Sequence, residues 1–142
     1  MKNKFKPLNS ILVKPAGPDC NLGCGYCFYL EKAALFPESN KHRMSDDVLE
    51  VLIKQAMEQS GENIAITWQG GEPTLMGLDF YKKVVALEQK YGRGKVVGNG
   101  LQTNGLLIDE EWAAFLGEYQ FLVGLSIDGP RHIHDKYRLT KN

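Results

Sequence analysis

Strand-like and helix-like segments alternate along the whole of this chain, and that alternation constrains its fold more than any other feature. Four short segments rich in apolar and β-branched residues predict strands, over residues 10–14, 64–68, 95–101 and 121–127. Three amphipathic segments predict helices: one between a cap at Ser45 and a stop at Gly61, one over residues 78–91, and one from a cap at Asp109 to Gly117. This order predicts an α/β fold with a parallel sheet.

Each predicted strand is followed by a short signature of small and polar residues. The four signatures read CNLGCGYC, QGGEP, QTNG and SIDGP. In a parallel barrel the loops at the carboxyl ends of the strands build one site, whereas a doubly wound sheet concentrates its site at one switch point. Four signatures at one end therefore favour a partial (β/α) barrel of the TIM type, formed by residues 1–142 as a single domain.

Composition excludes several classes of partner and location. The chain has 17 basic and 17 acidic side chains, so charge gives no indication of a nucleic-acid or membrane surface. No apolar stretch has transmembrane length, and no export-type signal follows the N-terminus. Three cysteines without an export signal argue against a disulfide framework and favour metal or redox chemistry in a reducing cytoplasm.

All three cysteines, Cys20, Cys24 and Cys27, lie in the segment PDCNLGCGYCFY of residues 18–29, called here the cysteine loop. Their spacing suits three ligands of one inorganic centre, either zinc or an iron–sulfur cluster. Structural zinc sites normally have four protein ligands, and His42 could be the fourth, although it lies outside the familiar spacing. A cubane cluster bound by three cysteines keeps one iron open for a small chelating ligand.

The cysteine spacing, the aromatic residue before the last cysteine and the sequence GGEP together resemble the radical S-adenosylmethionine enzymes, which fold as full or partial β/α barrels. The chain is most similar to the anaerobic sulfatase-maturating enzymes, in VKP, CFYLEK, WQGGEPTL, LQTNGLLID and LVGLSIDGP. Members of that family use a 5′-deoxyadenosyl radical to oxidise a cysteine or serine of a sulfatase to formylglycine. The resemblance therefore implies a 4Fe-4S cluster and S-adenosylmethionine as cofactors.

The same resemblance implies a role for each residue of the motifs. Cluster ligands are Cys20, Cys24 and Cys27. Residues expected at S-adenosylmethionine are Tyr26 near the adenine, Gly70, Gly71, Glu72 and Pro73 at its amino acid end, and Ser126 and Arg138 at its ribose and carboxylate. Gln69 and Gln102 are expected to face the peptide substrate. The plainer alternatives are packing for Tyr26, a turn for GGEP, strand-end polar groups for Ser126 and the two glutamines, and a solvated charge for Arg138.

The resemblance also sets expectations about partners and completeness. The partners implied are a sulfatase polypeptide and an electron donor such as ferredoxin or flavodoxin. The chain resembles only the first part of such enzymes, so we expect the general base to lie outside these residues and the chain alone not to complete the reaction. Two alternatives are another peptide-modifying radical enzyme and a zinc-bearing structural module.

Four further residues are interpreted from sequence alone. His132 and His134 lie in a charged segment predicted to be exposed, and no catalytic role is assigned to them. Trp68 and Trp112 are predicted to be core residues.

Overall fold

A computed structural model describes residues 5–36 and 41–141 and contains one four-stranded parallel sheet. Its strands are β1 (Leu8–Val13), β2 (Ser60–Trp68), β3 (Val96–Thr103) and β4 (Leu122–Leu125). Its α-helices are α1 (Asp46–Gln59), α2 (Leu78–Gly92), α3 (Glu110–Glu118) and α4 (Arg131–Tyr137). Two short 3₁₀ helices, Lys32–Leu35 and Pro73–Met76, lie in the loops after β1 and β2.

The strands lie in the sheet in the order in which they occur in the chain, β1-β2-β3-β4, and every neighbouring pair is parallel. Val13 pairs with Trp68, and Trp68 pairs with Leu101, so the carboxyl ends of the strands reach one edge of the sheet. A doubly wound sheet would reverse its strand order at a switch point, whereas successive strands of a β/α barrel do not. The predicted α/β fold with the first four strands of a barrel is confirmed.

The helix starts follow from their capping residues. Val48 N–H donates to Ser45 Oγ at 3.3 Å, and Trp112 N–H donates to Asp109 Oδ1 at 2.9 Å, so each side chain satisfies an amide that has no partner within its helix. One predicted helix end is wrong, because α1 ends at Gln59 and Gly61 already lies in β2. The first residues of β2 are polar, which hid the strand in the sequence.

The core fills the space between one face of the sheet and the helices. Trp68 and Trp112 are buried, as predicted, and Trp68 packs edge-on against Phe80 and Tyr81 of α2. Val48, predicted to belong to the apolar stripe of α1, is 54% exposed, so that assignment is wrong. Leu49, Ile53 and Met57 of the same stripe are fully buried.

Near the carboxyl ends of β2 and β3, the opposite face of the sheet carries small or polar side chains. Along β3, Asn99, Leu101 and Thr103 are buried toward the helices, while Gly98 and Gln102 alternate with them on the open face. In a barrel that face is the interior, so the end of β3 points a long polar side chain into the space beside the loops. No helix among residues 5–36 and 41–141 is long and apolar enough to cross a membrane.

Candidate functional site

A cavity of about 240 Å³ lies at the carboxyl edge of the sheet, where the loops after all four strands meet. It is lined by Cys20, Leu22, Cys24, Tyr26, Cys27, Phe28, Tyr29, Gln69, Gly70, Gly71, Glu72, Gln102, Thr103, Asn104, Ser126 and Arg138. Every residue that the sequence predicts for the site except Pro73 is in this set. A larger cavity of about 410 Å³ at the other end of β3 is lined by Glu88, Arg93 and Lys95 among others, and contains no thiol.

The three cysteines are free thiols. Cys24 is buried, and Cys20 and Cys27 are half-buried. Burial raises the pKa of the Cys20 and Cys24 thiols, while the positive charge of Arg138 acts in the opposite direction on Cys24. Cys20 Sγ accepts hydrogen bonds from Leu22 N–H at 3.4 Å and from Asn104 Nδ2 at 3.8 Å, and such bonds stabilise a thiolate.

The donor set can be tested against the two inorganic groups that the sequence suggests. Within the described parts of the chain, no three His, Cys, Asp or Glu side chains are arranged to hold a single metal ion. His42, the candidate fourth zinc ligand, does not line the cavity; its Nδ1 donates to Asp19 Oδ1 at 2.8 Å. The cavity is lined by three free thiols, by the backbone of two glycines and by one guanidinium. This set suits an iron–sulfur cluster that binds three thiolates and keeps one position for a ligand.

The GGEP turn, formed by Gly70, Gly71, Glu72 and Pro73, lies directly against the cysteine loop. Gly71 N–H donates to Gly17 O at 2.9 Å, and Glu72 N–H donates to Asp19 O at 2.7 Å. A Cβ atom on Gly71 would overlap the carbonyl oxygen of Asp19 and lie 2.6 Å from Pro18 O, both of them backbone atoms. The close approach of two backbones therefore requires glycine at position 71.

The carboxylate of Glu72 is buried, and its hydrogen bonds are made inside the protein. Oε1 accepts from Thr74 Oγ1 at 2.6 Å and from Thr103 Oγ1 at 2.7 Å, and Oε2 accepts from Asn104 N–H at 2.8 Å. Glu72 thus joins the end of β2 to the end of β3. Pro73 is buried, does not line the cavity, and begins the 3₁₀ helix Pro73–Met76.

Asn104 connects this network to the cysteines. Its Nδ2 donates to Asn21 Oδ1 at 2.8 Å and reaches Cys20 Sγ, while its Oδ1 accepts from Leu106 N–H at 3.0 Å. The sequence indicates only the turn, since an asparagine before glycine is a common turn former. The contact of Asn104 with Asn21 in the cysteine loop joins residues 83 positions apart, so no local sequence pattern predicts it.

Gln102 and Ser126, predicted to face the peptide and the cofactor respectively, contact each other. Gln102 Nε2 donates to Ser126 Oγ at 2.9 Å. Both line the cavity, and Gln69 lines it from the end of β2. One polar row therefore runs across the ends of the three strands.

The cysteine loop is also bound to the end of the chain beyond α4. Gly23 N–H donates to Leu139 O at 2.7 Å, Gly25 N–H donates to Tyr137 O at 3.0 Å, and Leu22 forms an antiparallel bridge with Thr140. This pairing was not predicted, because α4 is short and rich in charged residues. Residues 137–140 therefore form one wall of the loop that carries the thiols.

Two cofactor candidates, Tyr26 and Arg138, share one carboxylate, that of Asp128. Asp128 Oδ2 accepts from Tyr26 Oη at 2.7 Å and from Arg138 Nε at 3.0 Å, and Oδ1 accepts from Arg138 Nη2 at 2.9 Å. These donors hold the pKa of Asp128 below its usual value, so the carboxylate is ionised at neutral pH. Arg138 is accordingly a paired and mostly buried cation, not the solvated charge of the plainer alternative.

His134 departs from its predicted exposure. It is half-buried, and its Nδ1 accepts the backbone N–H of Asp128 at 3.4 Å. His132 is exposed, as predicted. The histidine thus fixes the backbone that carries Asp128.

Comparison with known proteins gives consistent results. A serine-type anaerobic sulfatase-maturating enzyme of Bacteroides thetaiotaomicron is 49% identical over 137 residues, covering 96% of this chain and 33% of that protein. A cysteine-type anaerobic sulfatase-maturating enzyme of Clostridium perfringens is 45% identical over 133 residues, covering 93% of this chain and 36% of that protein. A solved structure described as native anSMEcpe with bound AdoMet and Cp18Cys peptide superimposes with a TM-score of 0.84 at 45% identity, covering 94% of this chain and 35% of that one.

The chain spans about a third of the length of the curated relatives that it matches. The matched part includes the cysteine loop, the GGEP turn and the ends of β3 and β4. The family model described as the radical SAM superfamily matches residues 15–142, which is nearly the whole chain and all of the residues around the cavity. On this match and on the fold, the chain belongs to the radical SAM superfamily.

Proposed function

We propose that this chain corresponds to the amino-terminal part of the radical SAM domain of an anaerobic sulfatase-maturating enzyme. In this proposal the whole enzyme oxidises a cysteine or serine of a sulfatase to formylglycine. The observation that carries the proposal is the meeting of loops from four parallel strands around three free thiols in one cavity. Relatives of that name are 49% and 45% identical across this same region.

Cys20, Cys24 and Cys27 would hold a 4Fe-4S cluster, with Leu22 N–H and the Asn104 amide donating to one of its thiolates. When bound and reduced, the cluster supplies the electron that cleaves S-adenosylmethionine to methionine and the 5′-deoxyadenosyl radical. A reduced ferredoxin or flavodoxin is the proposed electron donor. We also propose a cytoplasmic location, which the free thiols and a reducible cluster support.

The remaining residues of the cavity would orient S-adenosylmethionine. Arg138 lines the cavity with three N–H donors that Asp128 does not use, and these would bind the carboxylate. Ser126 offers a hydroxyl for the ribose, and Tyr26 a ring for the adenine. At the GGEP turn, Gly70, Glu72 and Pro73 surround Gly71, whose backbone would lie beside the amino acid end. Glu72 fixes that turn through Thr103 and Asn104 and does not itself need to reach the ligand.

Gln69 and Gln102 are proposed to bind the substrate peptide. Each amide has donors and an acceptor, which suits the backbone of an extended peptide. Gln102 lies on the open face of the sheet, and one of its donors is already used by Ser126. A peptide bound there would adjoin the residue proposed for the ribose. The serine-type and cysteine-type relatives are 49% and 45% identical to this chain, so both serine- and cysteine-containing peptides belong in the test.

Anaerobic reconstitution with iron and sulfide tests the cofactor part of the proposal. We expect a brown protein with broad absorbance in the violet and blue that releases 5′-deoxyadenosine from S-adenosylmethionine when reduced with dithionite. Cys24→Ala should lose the colour and the cleavage. Lys54→Ala, an exposed position on α1, serves as the control and should keep both.

A colourless protein that binds zinc and takes up no iron would refute the iron–sulfur cluster and favour the alternative of a zinc-bearing structural module. The sulfatase part is tested separately, by incubating the reconstituted whole enzyme with cysteine- and serine-containing sulfatase peptides. Mass spectrometry should find formylglycine in at least one of them. Cleavage of S-adenosylmethionine without formylglycine would favour another peptide-modifying radical enzyme.

A further inference from the structure

Asp128 lies behind the cavity and contacts two of the residues that line it. Its carboxylate accepts hydrogen bonds from Tyr26 Oη at 2.7 Å and from Arg138 Nε and Nη2 at 3.0 and 2.9 Å. Asp128 itself is not one of the described residues that line the cavity. Its hydrogen bonds therefore reach the cavity lining through Tyr26 and Arg138.

The contacts with Asp128 fix the orientation of Tyr26 and Arg138 and leave both side chains able to bind a ligand. A guanidinium has five N–H donors, and the pair with Asp128 uses two, which leaves three for a ligand. The Arg138 guanidinium carbon lies 5.7 Å from the centroid of the Tyr26 ring, so one carboxylate sets the positions of a cation and an aromatic face that adjoin each other. The side chains of Asp128 and Arg138 are 23% and 15% exposed, so the ion pair between them is partly shielded from water.

A purely structural role for Asp128 would be to attach the cysteine loop to α4. That attachment already exists in the backbone, through Gly23 with Leu139 and Gly25 with Tyr137. Removal of the carboxylate would therefore leave the loop in place and release the rotamers of Tyr26 and Arg138. Binding a ligand would then require these two side chains to be ordered again.

We propose that Asp128 is a positioning residue for S-adenosylmethionine, which holds Tyr26 and Arg138 in the orientation that binds the cofactor before it arrives. The proposal rests on the proposed function of the site. It assigns Asp128 no contact with the cofactor and no proton transfer.

The test compares Asp128→Asn, Tyr26→Phe and the double variant with the unsubstituted protein, all loaded anaerobically with iron and sulfide. The amide in Asp128→Asn has the same size but presents an NH₂ group to donors. We expect iron content to be unchanged and the dissociation constant for S-adenosylmethionine, measured by equilibrium dialysis, to rise about tenfold. Tyr26→Phe should raise it about threefold alone and add little in the Asp128→Asn background, because both changes break the same contact.

Asp135→Asn is the matched control. Asp135 also pairs with an arginine of α4, Arg131, at 3.1 Å, but that pair faces solvent. The control should bind S-adenosylmethionine like the unsubstituted protein. The proposal would be overturned if Asp128→Asn bound S-adenosylmethionine as tightly as the unsubstituted protein. It would also be overturned if the two single substitutions raised the dissociation constant independently, so that their factors multiplied in the double variant.

Failure of the proposed function has a different signature. An unsubstituted protein that takes up no iron or does not bind S-adenosylmethionine would overturn the function and this inference together. If Asp128→Asn does not fold, Tyr26→Phe decides, since it removes one hydroxyl; affinity unchanged in that variant would then count against the inference.

Discussion

Gly71 is the residue at which the GGEP turn and the cysteine loop touch, and its missing side chain is what lets them do so. A methyl group there would meet the backbone of Asp19 and Pro18, which cannot rotate away as a side chain could. We expect Gly71→Ala to lower the free energy of unfolding by about 1–3 kcal/mol or more and to reduce iron uptake. Urea denaturation and iron content of the purified protein measure the two effects.

Gly98→Ala is the control, because a Cβ at that strand position has no heavy atom within 4 Å. It should leave stability within about 1 kcal/mol and iron uptake unchanged. A Gly71→Ala protein as stable as the control would mean that the two loops can separate without cost.

The sequence identified these residues more readily than their contacts. The cysteines and glycines belong to short motifs, so their types and spacing suffice to predict a site. The sequence suggested that the glycines of GGEP expose backbone for a cofactor, and the structure adds that Gly71 is required by the backbone of the cysteine loop. The contacts of Asn104 with Asn21 and of Asp128 with Tyr26 were missed because these partners lie 83 and 102 positions away, and no local pattern encodes such pairs.

At the scale of elements, Glu88 joins α2 to two strands through one buried chain of hydrogen bonds. Asn99 Nδ2 donates to both carboxylate oxygens of Glu88, at 3.1 and 2.9 Å, and Trp68 Nε1 donates to Asn99 Oδ1 at 2.8 Å. Burial raises the pKa of Glu88 to about 7, and the bond from Asn99 only partly offsets this. The carboxylate is thus held where ionisation is unfavourable.

This shift predicts a pH dependence of stability. The folded pKa lies above the ordinary value of 4.5, so the unfolded chain loses the proton first as pH rises. The free energy of unfolding should therefore decrease between about pH 4.5 and 7, by about 3 kcal/mol from this group, and level off above that range. Glu88→Gln should remove that part of the decrease, as measured by urea denaturation at pH 5 and pH 8.

The exposed Glu110 on α3 provides the matched control. Glu110→Gln should reproduce the pH dependence of the unsubstituted protein. If Glu88→Gln also reproduces it, the carboxylate is not held in a buried, unfavourable environment.

Helices α1 and α3 were predicted from capping residues and α2 from its apolar stripe, whereas α4 was not predicted. Ser45 and Asp109 marked the starts of α1 and α3 because a side-chain oxygen there satisfies a backbone amide. Helix α4 has no side-chain cap and no buried residue, so neither of the usual signals marks it. The parallel α/β sheet was predictable from the order of strands, loops and helices, and the four signatures after the strands favoured a barrel over a doubly wound sheet.

At the scale of the whole molecule, β4 is the last strand of the sheet within the described residues, and it is strongly apolar. Leu122 is 80% exposed and Leu125 51%, and Ile127, just after the strand, is 61% exposed. An edge strand with exposed apolar side chains pairs readily with another chain. We expect the 142-residue protein to self-associate as its concentration rises, and Leu122→Lys to reduce this in sedimentation velocity experiments.

Val96→Lys introduces the same charge at an apolar position that is 65% exposed but lies at the start of an interior strand. It should change self-association much less. A similar reduction by both variants would assign the effect to net charge and not to the edge of β4.

The pairing of the cysteine loop with the segment beyond α4 has a consequence for the synthesis of the protein. Tyr26 and its partner Asp128 are 102 positions apart, and translation at about 5–20 residues per second adds that length in roughly 5–20 s. During that interval the three thiols belong to a loop whose pairing partner, residues 137–140, has not been synthesised. The order of the chain therefore makes the site complete only after Tyr137 and Leu139 have emerged, so insertion of an inorganic group into the finished site follows translation of this region.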